Sequence, residues 1–301
     1  MKALKEIVQY VETDNPTGTL SILEPNYSSV SKEGILPIQL NTKHFHLEDH
    51  RIKSVMNKET IADIMAMHGI DSRAMVKNAI DDEADFNLEK KIYEMLEESG
   101  RNNYRSEWSK TRWFIYNWLG YYPKVRILAS ESSPGSLLKH IHIAGSKIAN
   151  KTRVGGADFI IVSQSIGSLL SDLNQFTFNT EEVTNFIEKG ASIRQIGVLA
   201  GRYKVLINPL LSNDIDQTSI VIGASTKEGQ EGIYHVTMSP TYDEIESENF
   251  ATLRTEIITV RSQRMATIKT NNADFKYITI PLTKSRHNLI THLYKRIFKK
   301  K

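Results

Sequence analysis

A chain of 301 residues, 40% hydrophobic and 24% charged, is long enough for one large or two ordinary domains with sizeable cores, which excludes a disordered or fibrous polypeptide. No run approaches the roughly 18 apolar residues of a membrane-spanning helix. The opening MKALKEIVQYVETDNP is broken by Glu6, Gln9 and Glu12 and so lacks a signal-peptide core, and a cysteine count of 0 excludes disulfides, thiolate nucleophiles and zinc–thiolate sites.

The net charge of +3 is too small to imply a nucleic-acid binder, but it is unevenly spread. From Ala273 onward eight basic residues (Lys276, Lys284, Arg286, Lys295, Arg296, Lys299, Lys300, Lys301) face Asp274 alone, giving 8 − 1 = +7 and leaving 3 − 7 = −4 on residues 1–272. Such a basic tail could touch phosphate, or it could be a solvated charged terminus.

Residues 1–50 are poorly periodic and dotted with turn formers, so short extended pieces such as Gly34–Leu40 predict an arm or hairpin. Helix signals begin near Val55, and Gly69 is the expected C′ glycine of that first helix. Asp71 reads as the N-cap of a much longer helix over 72–99, because Val76, Ile80, Ala84, Leu88, Ile92 and Leu96 recur every fourth residue and no Pro or Gly intervenes before Gly100, the predicted terminator.

The next stretch holds Tyr104, Trp108, Trp113, Phe114, Tyr116, Trp118, Tyr121 and Tyr122. It can be read as a core corner, a subunit interface or a stacking platform. After Pro134-Gly135, a second amphipathic helix carries Leu137, Leu138, Ile141, Ala144 and Ile148. ADFIIVS (Ala157–Ser163) predicts a buried strand followed by a short helix. QIGVLAG, RYKVLINPL, TSIVIGAS, GIYHVTMS, a long span Leu253–Ile268 and FKYITIPL all read as strands. Helices first, then mainly antiparallel strands, is an α+β pattern.

Catalytic chemistry is hard to place on this pattern. HFHLEDH brings His44, His46 and His50 close in sequence, and a strand would put His44 and His46 on one face. A third ligand at a metal-binding spacing is missing, so the segment reads as a polar arm. VGGAD (Val154–Asp158) precedes a strand, the reverse of a dinucleotide fingerprint, and so reads as a turn. Walker and GxSxG motifs are lacking, and the acids Asp81, Asp82, Glu83 and Asp85 fit a solvated helix face. The expectation is no enzyme, with no catalytic, cofactor-binding or metal-binding residue assigned.

Four segments in this order resemble the major capsid proteins of tailed bacteriophages, in particular the T-even branch of the Hong Kong 97-type capsid fold. They are MAMHGID (Met65–Asp71) running into the helix with LEKKIYEML (Leu88–Leu96), IANKTRVGGADFIIVSQSIGSLL (Ile148–Leu170), GVLAGRYKVLINPL (Gly197–Leu210) and SIVIGASTKEGQEGIYHVTMSP (Ser219–Pro240). The resemblance implies an N-terminal arm and extended loop over 1–52. It implies a peripheral domain over 53–133 with a spine helix at 72–99, joined by a strand at about 253–262. An axial domain over 134–252 would follow, joined by about 263–301 and built on a mixed, mainly antiparallel sheet.

In function it implies a major head protein of the virion, assembled in host cytoplasm into hexamers and pentamers of an icosahedral shell. Its partners would be further copies of itself, a scaffold, a portal, decoration proteins and loosely held double-stranded DNA, with no membrane and no cofactor. The alternatives are a vertex subunit or encapsulin-like compartment shell of the same fold, and, in a different class, a soluble nucleic-acid-binding protein or enzyme.

Overall fold

The structure, a computed structural model, describes residues 4, 6–25, 38–69, 71–106, 125–126, 133–152, 155–179, 192–214, 217–225, 232–249 and 254–283. Its largest sheet has seven strands in the order β5 (Val125–Arg126), β14 (Tyr277–Thr283), β10 (Ser219–Gly223), β6 (Phe159–Val162), β9 (Tyr203–Ile207), β8 (Arg194–Leu199) and β7 (Phe176–Phe178). Only the β6–β9 and β5–β14 pairs are parallel, so the sheet is mixed and mainly antiparallel, as the sequence predicts.

Continuous apolar runs are what a strand buried on both faces requires, because successive side chains point to opposite sides. Ile160 and Val162 enter one core with Ile220, Ile222, Val205 and Ile207, while Phe159 and Ile161 enter a second with Val221 and Leu206. The first core is covered by α3 (Ser133–Thr152) through Leu137, Ile141, Ala144 and Ile148, and by α4 (Gln164–Ser171) through Ile166 and Leu170. The second is covered by Leu88, Ile92 and Leu96 of α2 (Ser72–Ser106) and by Leu4, Ile7 and Val8. The first residues are thus core, where the sequence suggests an arm.

The hairpin β8–β9 turns at Leu199–Arg202, with the Arg202 amide donating to the Leu199 carbonyl at 3.1 Å. Both central residues have positive φ, 53° at Ala200 and 62° at Gly201. Leu199 pairs with Tyr203, so three residues form the loop. Two successive positive φ values inside the 199–202 turn are the conformation of a type I′ turn, which strains alanine by about 1 kcal/mol. Ala200→Asn is therefore expected to stabilise the chain by about 0.5–1 kcal/mol, seen as a higher urea midpoint with unchanged slope.

A second sheet is organised around β13 (Arg254–Lys269). One edge pairs with β4 (Glu48–Asn57), from Glu256↔Asn57 to Met265↔Glu48. The other pairs first with β11 (Ile233–Thr237) and then with β12 (Thr241–Asn249), and β1 (Gln9–Glu12) adds to β11 in parallel. The Met238 amide still donates to Arg264 O at 2.9 Å, and Thr241 faces Ser262, so Ser239 and Pro240 oppose Gln263 alone. That is a β-bulge, a place where proline's missing N–H costs no ladder bond. Gln263 Nε2 ties it down by donating to Thr237 Oγ1 at 2.7 Å and Met238 O at 3.1 Å. The span read as one long strand or a bent pair is a single strand.

Two boundaries differ from the sequence reading. Ser54–Asn57 closes β4, and α1 (Lys58–His68) starts only at Lys58, because Ser54 and Met56 face the sheet's inner side and fix a period of two. Gly100 does not end α2, which continues to Ser106. A Cβ at Gly100 would lie 2.2 Å from Thr279 Oγ1 and 2.7 Å from the Thr279 amide nitrogen, so the glycine is there for close helix–sheet approach. The helix caps match expectation. Gly69 has φ 65° with its amide on Met65 O, and Asp71 Oδ1 accepts from the Arg73 and Ala74 amides at 3.0 and 3.2 Å.

Candidate functional site

With no reactive centre predicted, the surfaces that could meet other molecules are the functional candidates. The first is a ribbon of β2 (Thr17–Pro25) and β3 (Ile38–His46), paired from Thr17↔His46 to Pro25↔Ile38 with no third strand among the described residues. It has two unlike faces. Gly18, Leu20, Asn41, Lys43 and Phe45 are half-buried, while Thr17, Thr19, Thr42, His44 and His46 are exposed. Phe45 lies across Gly18, where a Cβ would come within 2.6 Å of the ring. The base is pinned by the Leu47 amide donating to Pro16 O at 2.8 Å and by Lys43 Nζ donating to Lys269 O at 2.5 Å.

The second candidate is a rib made by α2 against the β13 sheet. Thirty-five helical residues span about 52 Å, and the 16 of β13 about 53 Å. Buried Arg261 donates from Nε to Asp81 Oδ1 at 2.8 Å, and the Tyr242 hydroxyl donates to the same oxygen at 2.5 Å. Further out, Arg73 and Lys77 reach Glu244 at 3.6 and 3.4 Å and Lys91 reaches Glu48 at 3.8 Å. Each exposed pair contributes little singly, but together they fix the helix's register on the sheet.

The sheet's other face carries the row Val55, Ile258 and Ile245, aligned across three strands, with Val55 56% and Ile245 53% exposed. Helix α1 buries no residue at all, and Met65 and Met67 stand exposed on it. With Val55, Ile245, Met65 and Met67 exposed, this side of the sheet and α1 is a candidate contact surface.

The third is a cleft of about 440 Å³ between β1, α2 and the β11–β13 ladder, lined by Tyr10, Glu12, Asp85, His235, Arg261 and Gln263 among others. His235 is buried, its Nδ1 lies 3.3 Å from Thr267 Oγ1 and its ring meets Tyr10 edge-on at 5.4 Å. Burial, with help from Lys91 and His50, pushes its pKa down to about 4. Burial also raises Asp85 above the usual carboxylate range and raises Tyr10.

His44 and His46 do share a face, on the ribbon, but His50 lies on β4 in the other sheet. Among the described residues no three His, Asp or Glu groups could hold a metal ion. Of VGGAD, the described residues 155–158 form an irregular link into β6 that lies against Arg202, whose Nε donates to Ala157 O at 2.9 Å, and Asp158 accepts from the Ser225 amide at 2.7 Å. The aromatic run from Trp108 to Tyr122 and the basic tail from Lys284 lie outside the described residues. Sequence reasoning missed the row Val55–Ile258–Ile245. Its signal, alternation along both strands, was available in the sequence but could not be registered without the pairing.

The family described as Major capsid protein Gp23 matches residues 36–238. No curated protein matches the sequence. Among solved structures, the chain is similar to one from Microbacterium phage Oxtober96, at a TM-score of 0.49 and 11% identity over 93% of this chain and 90% of that one. It is similar to the capsid of Myoviridae phage XM1 at 0.47 and 8%, over 93% and 91%. The holo-SrpI encapsulin complex from Synechococcus elongatus PCC 7942 gives 0.44 and 9%, over 95% and 89%.

Proposed function

We infer the assembly of this chain from one premise: it belongs to the Gp23 major capsid protein family of tailed bacteriophages and is a capsid protein that associates with copies of itself. Its copies close into hexamers and pentamers and then into an icosahedral shell around double-stranded DNA, with a scaffold and a portal setting size and entry. Within each copy the division is an arm and loop over 1–52, a peripheral domain over 53–133 with 253–262, and an axial domain over 134–252 with 263–301. The reaching element of the first part is the ribbon β2–β3, since Leu4, Ile7 and Val8 lie in the core.

The ribbon is the observation that carries this reading. A lone two-stranded ribbon is marginally stable in water, so one with nine paired positions gains most by lying on another copy. The α2–β13 rib then carries load across the subunit, and many modest contacts add up because closure repeats each of them. DNA is held loosely, by lysine and arginine charge exchanged for counterions.

The Pro16 carbonyl and Leu47 amide already touch, so the ribbon can be removed with a short glycine link across its base. Deleting Thr17–His46 is expected to leave a folded chain with near-native circular dichroism but to abolish closed particles in negative stain. Particles that still close without the ribbon would refute its role. Particles that close but protect no nucleic acid from nuclease would indicate a compartment shell instead of a DNA container.

A further inference from the structure

The seven-stranded sheet carries helices of unlike charge on its two faces. On one side, α3 holds Lys139, Lys147 and Lys151 with His140 and His142 and no acidic residue. Its outward side forms a shallow groove of about 580 Å³ along Lys139, His142, Ile143, Ser146 and Asn150. Lys139 and Asn150 are exposed there, and Ile143 is 43% exposed.

On the opposite side, α2 carries eight acidic residues against six basic ones, a net charge of 6 − 8 = −2. Arg73, Lys77, Lys91 and Arg101 are turned to acids of their own chain, Glu244, Glu48 and Glu97. Asp82, Glu83, Glu94 and Glu98 are exposed and make no ion pair among the described residues. Exposed Lys90 offsets one of these charges.

We propose that the α3 face of one copy seats on the α2 face of the next, with Lys139 and Ile143 against the turns that expose Glu94 and Glu98. This inference rests on the shell reading above and names the contact that closes its capsomers. The relevant part of α2 is its C-terminal half, because Leu88, Ile92 and Leu96 seat that half on the same sheet that α3 covers from behind.

Ile143 and Leu138 supply an apolar centre, and the charges form its rim. Each copy offers one face to one neighbour and the opposite face to the other. The contact is therefore heterologous, and it generates a ring when the rotation closes. Pairing α3 with α3, or α2 with α2, would set like charges together, so the same charges also select against face-to-face dimers.

The test uses two variants of the full chain, Lys139→Glu with Asn150→Glu on α3, and Glu94→Lys with Glu98→Lys on α2. All four side chains are exposed, so both variants are expected to fold, as circular dichroism would verify. By native mass spectrometry and negative stain, each variant should lose rings and particles at least tenfold, and the chain carrying all four changes should recover them. Mixing the two variants should recover only rings of even number, since the copies must alternate around the ring. Variants that assemble like the unaltered chain, or a fourfold variant that does not recover, would overturn the proposed contact while leaving the shell reading intact. An unaltered chain that forms no ring would overturn both.

Discussion

Gly100→Val is expected to destabilise the chain by about 3 kcal/mol or more, the upper end for overpacking a filled core. The first added atom would sit 2.2 Å from Thr279 Oγ1, 2.7 Å from the Thr279 amide nitrogen and 2.9 Å from the Ile278 carbonyl carbon. Two of those three atoms are backbone, so no rotamer change makes room, and the helix has to lift off β14. Lifting it also breaks the bond from Thr279 Oγ1 to Glu97 O at 2.9 Å and the one from Ser219 Oγ to Glu97 Oε1 at 2.7 Å. Gly135→Ala is the control, since a Cβ there meets nothing within 4 Å and alanine is the better helix former by up to about 1 kcal/mol. Urea unfolding of both variants checks the contrast. A Gly100→Val chain as stable as the parent would show that the helix does not bear on the strand as described.

Acid should loosen the molecule through His235. Its folded pKa of about 4 lies below the 6.5 of a free histidine, so between those values the unfolded chain binds a proton that the folded chain refuses. Stability is then full above about pH 6.5 and declines as the pH falls towards 4, by about 3 kcal/mol for this one group.

The neighbouring cations share this sign. Lys91 and His50 oppose a charge on the ring, and Tyr10 and Thr267 pack against it. The carboxyls of Asp85 and Glu12 in the same cleft, which also holds Arg261, act the other way without reversing the shift. His50, pushed down by its own burial and by Lys91, titrates with the same sign. His235→Gln keeps a polar partner for Thr267 but cannot take up the proton. Its stability should therefore fall less than the parent's between pH 7 and pH 4.5 by about 2 kcal/mol, most of the full effect. Parallel pH profiles for the two proteins would place the acid sensitivity elsewhere.

What could be read from the sequence followed the strength of its periodicities. The four-residue stripe of α2 and the unbroken run Phe159–Val162 each admit a single fold, and both are found as expected. The caps at Gly69 and Asp71 were legible because local backbone chemistry decides them. Gly100 is not legible, because a glycine that ends a helix and one that lets a helix touch a sheet look alike until the partner strand is known, and that strand is some 180 residues away.

The spacing of Leu4, Ile7 and Val8 matches one buried helical turn, yet a single turn is too short to separate from noise. The opposite-charge faces of α2 and α3 are plain in the sequence as two helices of unlike composition. Only the sheet between them shows that they point in opposite directions.

The place of β13 also sets a timetable for the nascent polypeptide. Strand β4 emerges early from the ribosome, but its partner, residues 256–265, follows roughly 200 residues later, which at about 5–20 residues per second is a wait of about 10–40 s. During that interval Ile52, Val55 and Met56 present an open hydrogen-bonding edge, and β12 is made before its own partner as well. High expression should therefore favour inclusion bodies, and slower translation or a bound chaperone should raise the soluble yield.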